Sequence, residues 1–470
     1  MPERRRSGRP VDPVRRAALQ LLIESERDPG PLKPLLEERE RAIPRADDRA
    51  LLHSLVLETL RHRARLDRLL QGWIAPRRLE ELAPEVRNLL RLGLAQLVLH
   101  DRIGAHAAVD TSEPAHAVAH AGVAGFVNAV LRRAAREGRS AWAAVTDDSA
   151  VSAFALRYSV PEWIVGRWLA RWGSGRTEAA LAHSQSHPDY WLRLSPALDL
   201  ARLESSDRVA RDTNAGWIPG TRLAAAGSHP AEWSEFTAGL FTIQDGSAIL
   251  VGLLPPRVAG RVLDLCAAPG TKTSHLLERA EPGTRIVAAD LSSRRLSLLA
   301  RGLERWPASL ARPGIDLVVS DGGALPFSLA FDGILIDAPC SNLGVLRRRV
   351  DLRWRAQEQE IPRLAEVQAS LLRSAASRLL DGGWLVYSVC TTEPEETTAQ
   401  RDRFLAEHRE WGPLPLPECV PESARLREGE FLLVPGEHAT DGSYAFIVTR
   451  GQREERRPKV GTAIDEQGKG

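Results

Sequence analysis

The sequence contains few of the residues that build metal centres and disulfide frameworks. Its 470 residues include four cysteines, Cys266, Cys340, Cys390 and Cys419. None of them forms a C-x-x-C pair or has histidine partners at the spacing of zinc ligands. This absence argues against a structural metal site and against a disulfide-stabilised secreted domain. We therefore expect no metal, reduced thiols and a cytoplasmic location.

Long apolar segments and lysine are also scarce. No run of about 18 apolar residues occurs, and the amino-terminal MPERRRSGRPVDPVRR has no apolar core after its charged residues. These features predict neither export nor a membrane span. Of the 63 basic residues four are lysines, so 63 − 4 = 59 are arginines. With 61 acidic residues, the net charge of the chain is +2. Arginine suits phosphate recognition, but a GC-rich genome produces the same bias, so the composition only permits a nucleic-acid partner.

The first third of the chain has helical periodicity. Val14, Ala18, Leu21 and Leu22 share one face of VDPVRRAALQLLIE, and Asp12 before proline is typical of a helix start. Further helical patterns with almost no strand-like alternation predict an all-α domain over residues 11–140. Residues 150–235 are mixed, with tryptophan-rich helical pieces and strand candidates such as YWLRLS, and we expect a small connecting α/β domain there.

From residue 236 to 450 the pattern alternates between strands and helices. The strand candidates are RVLDLCA, RIVAAD, DLVVSD, FDGILIDA, GGWLVYSV, EFLLVP and YAFIVTR. This alternation predicts an α/β domain with a seven-stranded, mostly parallel sheet of the Rossmann-like kind, whose last two strands form an antiparallel edge hairpin. We expect residues 1–10 to be a flexible basic segment and residues 451–470 a disordered tail.

Acidic and small residues follow successive predicted strands, where ligands bind in open α/β sheets. After VLDL comes CAAPGTKT with Gly270, and Asp290 follows 290 − 270 = 20 positions later. Asp321 and Asp337 end the next two strands. The loop matches neither dinucleotide nor ATP motifs, whereas S-adenosylmethionine, with a ribose and a sulfonium cation, fits three carboxylates. The alternative is that these aspartates only cap helices.

Two cysteines, Cys340 and Cys390, follow strand candidates and could lie over one pocket. A thiolate that adds to C6 of a pyrimidine makes C5 nucleophilic, so a thiol beside a methyl donor indicates pyrimidine C5 methylation. Methylation of an exocyclic amine needs no thiol and typically places an aromatic after Asp/Asn-Pro-Pro, where this chain has Ala-Pro-Cys. Cys266 and Cys419 are interpreted as small buried side chains.

LDLCAAPGTKT, FDGILIDAPCS and LVYSVCTTEPEE together resemble the Nop2/Sun family of RNA cytosine-C5 methyltransferases. The helical segments DDRALLHSLVLETLRHR and AGFVNAVLRR resemble NusB, an RNA-binding antitermination factor. A NusB-like domain ahead of the catalytic domain is the arrangement of the bacterial family members that act on small-subunit (16S) rRNA, so the resemblance implies 16S rRNA methylation with S-adenosylmethionine. We expect a monomer that acts on an unassembled or partly assembled small subunit.

The resemblance also assigns residues. It implies Cys390 as the nucleophile, Cys340 in product release and Asp337 in orienting the cytosine. The donor-binding residues that it implies are Cys266, Ala267, Ala268, Pro269, Gly270, Thr271, Lys272, Asp290, Asp321 and Asp337. The chain departs from the usual family residues at Thr271 and Val389, and it has Asn342 where glycine is common.

A basic, aromatic segment follows Cys340. Arg347, Arg348, Arg349, Arg353 and Trp354 are predicted to bind RNA phosphates and an unstacked base; a solvated helix face is the alternative. The target cytosine must be single-stranded, looped or flipped. Two other functions stay open from the sequence: a tRNA cytosine-C5 methyltransferase, and an RNA-binding assembly or antitermination factor with weak or no turnover.

Overall fold

The computed structural model describes residues 12–28, 30–100, 121–144, 150–204, 206–210, 217–307, 309–326 and 328–451. The predicted flexible segment 1–10 and residues 452–470 of the predicted tail lie outside these ranges. Within them, no helix is both long and apolar enough to cross a lipid bilayer.

The amino-terminal part is helical, as its periodicity predicts. Asp12 caps the first helix, because its carboxylate accepts a hydrogen bond from the Val14 amide at 2.9 Å. Leucine-rich faces of these helices form one core with Leu21, Leu55 and Leu90 fully buried. The helices are α1 Pro13–Arg27, α2 Leu32–Arg41, α3 Ala46–Arg61, α4 Arg63–Ile74, α5 Pro84–Leu99 and α6 Ala121–Ala143.

The next part combines helices with a small antiparallel sheet. Helices α7 Ala150–Arg157 and α8 Glu162–Gln185 come first, and the strands are β1 Trp191–Leu194, β2 Thr221–Leu223 and β3 Phe241–Ile243. The sheet order is β2-β1-β3. Two short helices, α9 Leu200–Glu204 and α10 Ser234–Thr237, lie between these strands in sequence. Strand β3 pairs with β1 although it lies within the range predicted for the methyltransferase domain.

The large sheet carries the predicted α/β pattern. Its strands are β4 Arg261–Leu265, β5 Arg285–Asp290, β6 Gly314–Val319, β7 Phe331–Asp337, β8 Leu379–Val389, β9 Trp411–Pro413, β10 Arg425–Arg427, β11 Glu430–Leu433 and β12 Ser443–Arg450. Along the sheet the order is β10-β11-β12-β8-β7-β4-β5-β6, with β9 paired to β12. Strands β4 to β8 are parallel. The central strands β4, β5 and β7 are largely buried on both faces, which explains their nearly continuous apolar sequences, whereas the edge strand β6 is partly exposed.

Two details differ from the sequence prediction. The sheet has nine strands within the described residues, because the short β9 and β10 were not predicted. The predicted antiparallel pairing of the last two strands is present as β11 and β12, but β12 is not an edge strand: it lies between β8 and β11 and is antiparallel to both. Its first six residues are buried, so this position is stabilised by the core and not by the hairpin alone.

Helices cover both faces of the large sheet. On one face Leu250, Leu276 and Leu299 pack against β4 and β5, and on the other Leu371 and Leu372 pack against β7 and β8. The helices are α11 Gly246–Leu253, α12 Thr271–Arg279, α13 Ser293–Leu303, α14 Leu352–Arg355, α15 Glu360–Ala376 and α16 Thr398–Glu407. The carboxyl ends of β4, β5, β7 and β8 therefore meet at one edge, where the predicted site residues lie.

Candidate active site

The turn between β4 and α12 contains the predicted donor loop. Cys266 and Gly270 have positive φ angles of 59° and 105°, so the chain reverses within residues 266–270. A β-carbon at Gly270 would lie 2.5 Å from Cγ of Leu299, which leaves room only for glycine at this left-handed position. The small side chains of Ala267 and Ala268 keep the loop narrow above the sheet.

Asp290, at the end of β5, is tied to this loop. Its carboxylate accepts hydrogen bonds from the amides of Ala268 at 3.2 Å and Ser292 at 2.9 Å, and it pairs with Arg295 at 3.3 Å. The residue is 3% exposed. In this arrangement Asp290 orders the loop, and its predicted contact with a ribose stays a prediction. Asp321 is exposed and accepts a hydrogen bond from the amide of Gly323, so it caps a short turn.

Lys272 and Asp337 form an ion pair between the first turn of α12 and the end of β7. The ammonium nitrogen lies 2.7 Å from Oδ2 of Asp337, and the hydroxyl of Ser388 donates to Oδ1 at 3.0 Å. Burial alone would lower the pKa of Lys272, but the Asp337 carboxylate outweighs it and raises this pKa above its ordinary value. The donor loop is thereby joined to the strand that leads to Cys340.

The two predicted thiols are in contact. Sγ of Cys340 and Sγ of Cys390 are 3.3 Å apart, because the parallel strands β7 and β8 end side by side, with Asp337 in register with Ser388. The hydrogen bond between the thiols, together with burial, raises the pKa of Cys340 well above its usual value. The same hydrogen bond lowers the pKa of Cys390, against the effect of burial. Cys390 is thus the thiol of the pair that ionises more readily.

A loop and a buried carboxylate hold the segment around Cys340. The Gly344 amide donates to the Cys390 carbonyl at 3.1 Å, and a β-carbon on Gly344 would lie 2.2 Å from the Gly442 oxygen. Glu396, which is fully buried, accepts hydrogen bonds from both the amide and the hydroxyl of Ser341. Burial raises the pKa of Glu396. These contacts bring the loops after both cysteines into one unit.

The segment after Cys390 is clamped from outside the large sheet by helix α8. Arg167 pairs with Glu393 at 2.7 Å and with Glu395 at 2.7 Å, and the indole of Trp168 donates to Glu393 at 3.0 Å. Arg171 donates to the Thr392 carbonyl at 2.6 Å. The connecting region therefore contributes directly to the position of the nucleophile candidate.

Two further buried groups support the donor loop and were not identified from sequence. Asp264, in the middle of β4, is fully buried and accepts a hydrogen bond from Thr273 at 2.6 Å; burial raises its pKa to about 7. Arg193, on β1, donates to the Thr271 carbonyl at 2.9 Å and pairs with Glu278 on α12. The charge of Asp264 within an apolar strand was the signal available in the sequence, whereas nothing near Arg193 marks its partner helix.

Cys266 and Cys419 do not take part in the contact between Cys340 and Cys390. Burial raises the pKa of Cys266 to about 12 and also raises that of Cys419. Both thiols are partly buried and pack against hydrophobic clusters of the large sheet. This environment matches their interpretation as small apolar side chains.

The predicted RNA-binding run after Cys340 needs correction. Arg347 and Arg348 pair with Asp441 at 2.6 Å each, and Arg348 also pairs with Asp245 at 2.7 Å. Arg347 is buried, Arg348 is half-buried, and both guanidinium groups are engaged inside the protein. These side chains fasten the loop to the start of α11 and to the residues before β12, and their charges are paired within the protein.

Arg353 and Trp354 also face inward. Arg353 is 0% exposed and donates to the carbonyls of Arg61 at 3.2 Å and Ser184 at 2.9 Å, among five backbone carbonyls. The indole of Trp354 donates to the Leu60 carbonyl at 2.7 Å and packs against the helical core. Arg349 is the member of the predicted set that is exposed.

Known protein families match both the helical amino-terminal part and the α/β part of the chain. Residues 251–448 match the family model described as 16S rRNA methyltransferase RsmB/F, and residues 12–136 match the NusB family model. The "Probable ribosomal RNA small subunit methyltransferase B" of Bacillus subtilis is 32% identical over 445 residues, which is 92% of this chain and 97% of that protein.

Solved structures share the fold. The protein PH0851 superposes with a TM-score of 0.76 at 22% identity, over 93% of this chain and 98% of that chain. NSun6 from Pyrococcus horikoshii, solved with SFG, gives a TM-score of 0.54 at 18% identity, over 62% of this chain and 98% of that chain. The order of helices and strands described above is therefore found in other proteins.

Proposed function

The chain belongs to the 16S rRNA methyltransferase RsmB/F family, whose members are S-adenosylmethionine-dependent RNA methyltransferases, and from this we propose which base it methylates and how. The proposed reaction is methylation of C5 of a cytosine in 16S rRNA, through a covalent bond between Cys390 and C6 of the ring. The observation that carries the proposal is the 3.3 Å contact between the Cys390 and Cys340 sulfurs beside the Lys272–Asp337 pair.

The two thiols are assigned different roles because their environments differ. Cys390, whose pKa is lowered by the hydrogen bond from Cys340, attacks C6 as a thiolate. The attack moves electron density to C5, which then forms a bond to the transferred methyl group. Transfer of the C5 proton to solvent water restores the ring double bond as the C6–S bond breaks and Cys390 leaves as a thiolate. Cys340 assists this release, since it is the thiol 3.3 Å from the departing sulfur.

Asp337 is assigned to the base. Its carboxylate lies at the end of β7, three residues before Cys340, and is held by Lys272 and Ser388. A carboxylate fixed in this way can accept a hydrogen bond from the exocyclic amine of cytosine, which uracil lacks. The same ion pair keeps the donor loop in register with the base, so that the two substrates meet over the ends of β7 and β8.

The donor site fits S-adenosylmethionine by its chemistry. The carboxylates of Asp290, Asp321 and Asp337 follow β5, β6 and β7, and they suit ribose hydroxyls and a positive centre better than phosphates. When bound, this donor supplies an electrophilic methyl group. The residues proposed to hold it are those of the loop, Cys266 to Lys272, with these three aspartates.

Bisulfite sequencing of rRNA and tRNA tests the proposal. Cells that lack the gene are complemented with the wild type, with Cys390→Ala or with Cys340→Ala. We expect one cytosine of 16S rRNA to be protected only with the wild type, because only the wild type completes both the attack and the release. Cys340→Ala should also accumulate an RNA–protein adduct that survives denaturing gel electrophoresis, and Cys390→Ala should not.

Each other outcome has a defined meaning. If protection is lost only at tRNA cytosines, the rRNA assignment is wrong and the tRNA alternative replaces it. If no cytosine changes in either RNA while RNA binding persists, the chain acts as a binding or assembly factor. If Cys390→Ala and not Cys340→Ala traps the adduct, the two roles are exchanged.

A further inference from the structure

Asn342 lies two residues after Cys340 and has an unusual backbone conformation. Its φ angle is 58° and its ψ angle is 21°, in the left-handed region that favours glycine, with asparagine the next most tolerated residue. Here the left-handed turn directs the Asn342 side chain to Cys390, although the turn itself would form at least as well with glycine. The side chain therefore has a role to be explained separately from the turn.

The Asn342 carboxamide makes three contacts at the thiol pair. Its Oδ1 accepts a hydrogen bond from the Cys390 sulfur at 3.0 Å and another from a guanidinium nitrogen of Arg349 at 3.3 Å. Its Nδ2 donates to the Cys340 carbonyl at 2.5 Å. A carbonyl can only accept and a guanidinium can only donate, so both partners require Oδ1 to face the sulfur.

The Cys390 sulfur is consequently held between two groups of opposite polarity. Cys340 lies on one side at 3.3 Å and can donate a thiol proton to it. The Asn342 oxygen lies on the other side and can only accept the proton of Cys390. We propose that Asn342 is a third residue of the reacting centre, whose carboxamide oxygen directs the Cys390 sulfur toward Cys340 and retains its proton in the resting enzyme.

Several charged groups face the same sulfur and set the background for this effect. Asp337 disfavours the Cys390 thiolate, whereas Arg349, Lys272 and the Cys340 thiol favour it. A carboxamide oxygen disfavours the thiolate as well, because a thiolate has no proton to donate and meets the negative end of the amide dipole. Removal of the Asn342 side chain should therefore make Cys390 ionise more readily, and a carboxylate in its place should have the opposite effect.

The inference rests on the proposed role of Cys390, but its test requires neither RNA nor methyl donor. The rate at which iodoacetamide alkylates Cys390 is measured from pH 6 to 10 in the full chain by peptide mass spectrometry, which separates the four cysteines. The variants are Asn342→Gly, which suits the left-handed backbone, and Asn342→Asp, which has almost the same shape. Cys419 in the same digests is the internal reference, and the melting temperature of each variant shows that it is folded.

The two variants should move the pH profile of Cys390 alkylation in opposite directions. At pH 7.5 we expect about threefold faster alkylation for Asn342→Gly and about tenfold slower alkylation for Asn342→Asp, where tenfold corresponds to a pKa change of about one unit. If the pH profile is unchanged in both variants, the Asn342 side chain has no effect on Cys390. If Asn342→Gly is alkylated more slowly than the wild type, the amide stabilises the Cys390 thiolate. Either result overturns the inference. The pH profile of Cys390 alkylation can be interpreted even if the methylation proposal fails, because the measurement does not depend on methyl transfer.

Discussion

Glu393 offers a sharp test of how helix α8 positions the segment after Cys390. Its carboxylate is 1% exposed and pairs with Arg167 at 2.7 Å, while the neighbouring Glu395 is 40% exposed and pairs with the same guanidinium at 2.7 Å. The two glutamates therefore share Arg167 at one distance. They differ in burial and in the further contacts of Glu393 with Trp168 and Arg171. Replacing each by glutamine removes a charge and preserves the side-chain shape.

The expected losses follow from that difference. Removing one partner of a buried pair typically costs about 3–5 kcal/mol, and the exposed fraction of Arg167 together with its remaining partners reduces this to about 2–3 kcal/mol for Glu393→Gln. For Glu395→Gln we expect less than about 1 kcal/mol, as for other exposed pairs. Because Glu393 lies three residues after Cys390, Glu393→Gln should also slow single-turnover methyl transfer by about tenfold through misplacement of the sulfur.

Urea unfolding followed by tryptophan fluorescence measures the first quantity, and transfer of labelled methyl from S-adenosylmethionine to rRNA measures the second. Both variants and the wild type are compared at the same pH and salt concentration. Equal losses of unfolding free energy for the two variants would refute burial as the cause. A stability loss without any slowing of methyl transfer would refute the positioning of Cys390 by α8.

Two other predictions concern the buried side chains of Arg353 and Asp264. Arg353→Met should lower the free energy of unfolding by about 3 kcal/mol or more, because five backbone carbonyls lose a charged donor. The control is Arg355→Met, which loses a partly exposed ion pair with Asp351. It should lower the free energy of unfolding by less than about 1 kcal/mol in the same urea assay. Burial raises the pKa of Asp264 to about 7 in the fold, so the wild type loses stability as the pH rises towards that value. The stability of Asp264→Asn relative to the wild type should therefore rise by up to about 4 kcal/mol between pH 4 and pH 8. A stability difference that does not change with pH would contradict the raised pKa.

The strands and the proximity of the thiols were predictable because they follow from local patterns. Continuous apolar runs marked β4, β5, β7 and β8, and parallel strands that end at one edge bring the residues after them together, as the contact between Cys340 and Cys390 confirms. The roles of these residues stay predictions. The insertion of β12 beside β8 was not predictable from local pattern, since strand pairing in a sheet is decided by contacts between distant segments.

The arginines after Cys340 show the same limit more clearly. A run of arginines around a tryptophan is equally consistent with a nucleic-acid surface and with internal ion pairs, and the partners decide between the two. Arg347 meets Asp441, 94 positions away, and Arg353 meets the Arg61 carbonyl, 292 positions away. No local property of the sequence marks those carbonyls and carboxylates as vacant acceptors, so the inward orientation emerges only from the fold.

The stretch from Cys340 to Arg355 has one further consequence. Leu343, Leu346 and Leu352 complete the core around α7 and α8, and Val350 completes the core of the amino-terminal helices. A shortened chain without those helices would expose apolar side chains a few residues after Cys340. A displacement of the helical region would also move this segment, because the segment packs into both of those cores.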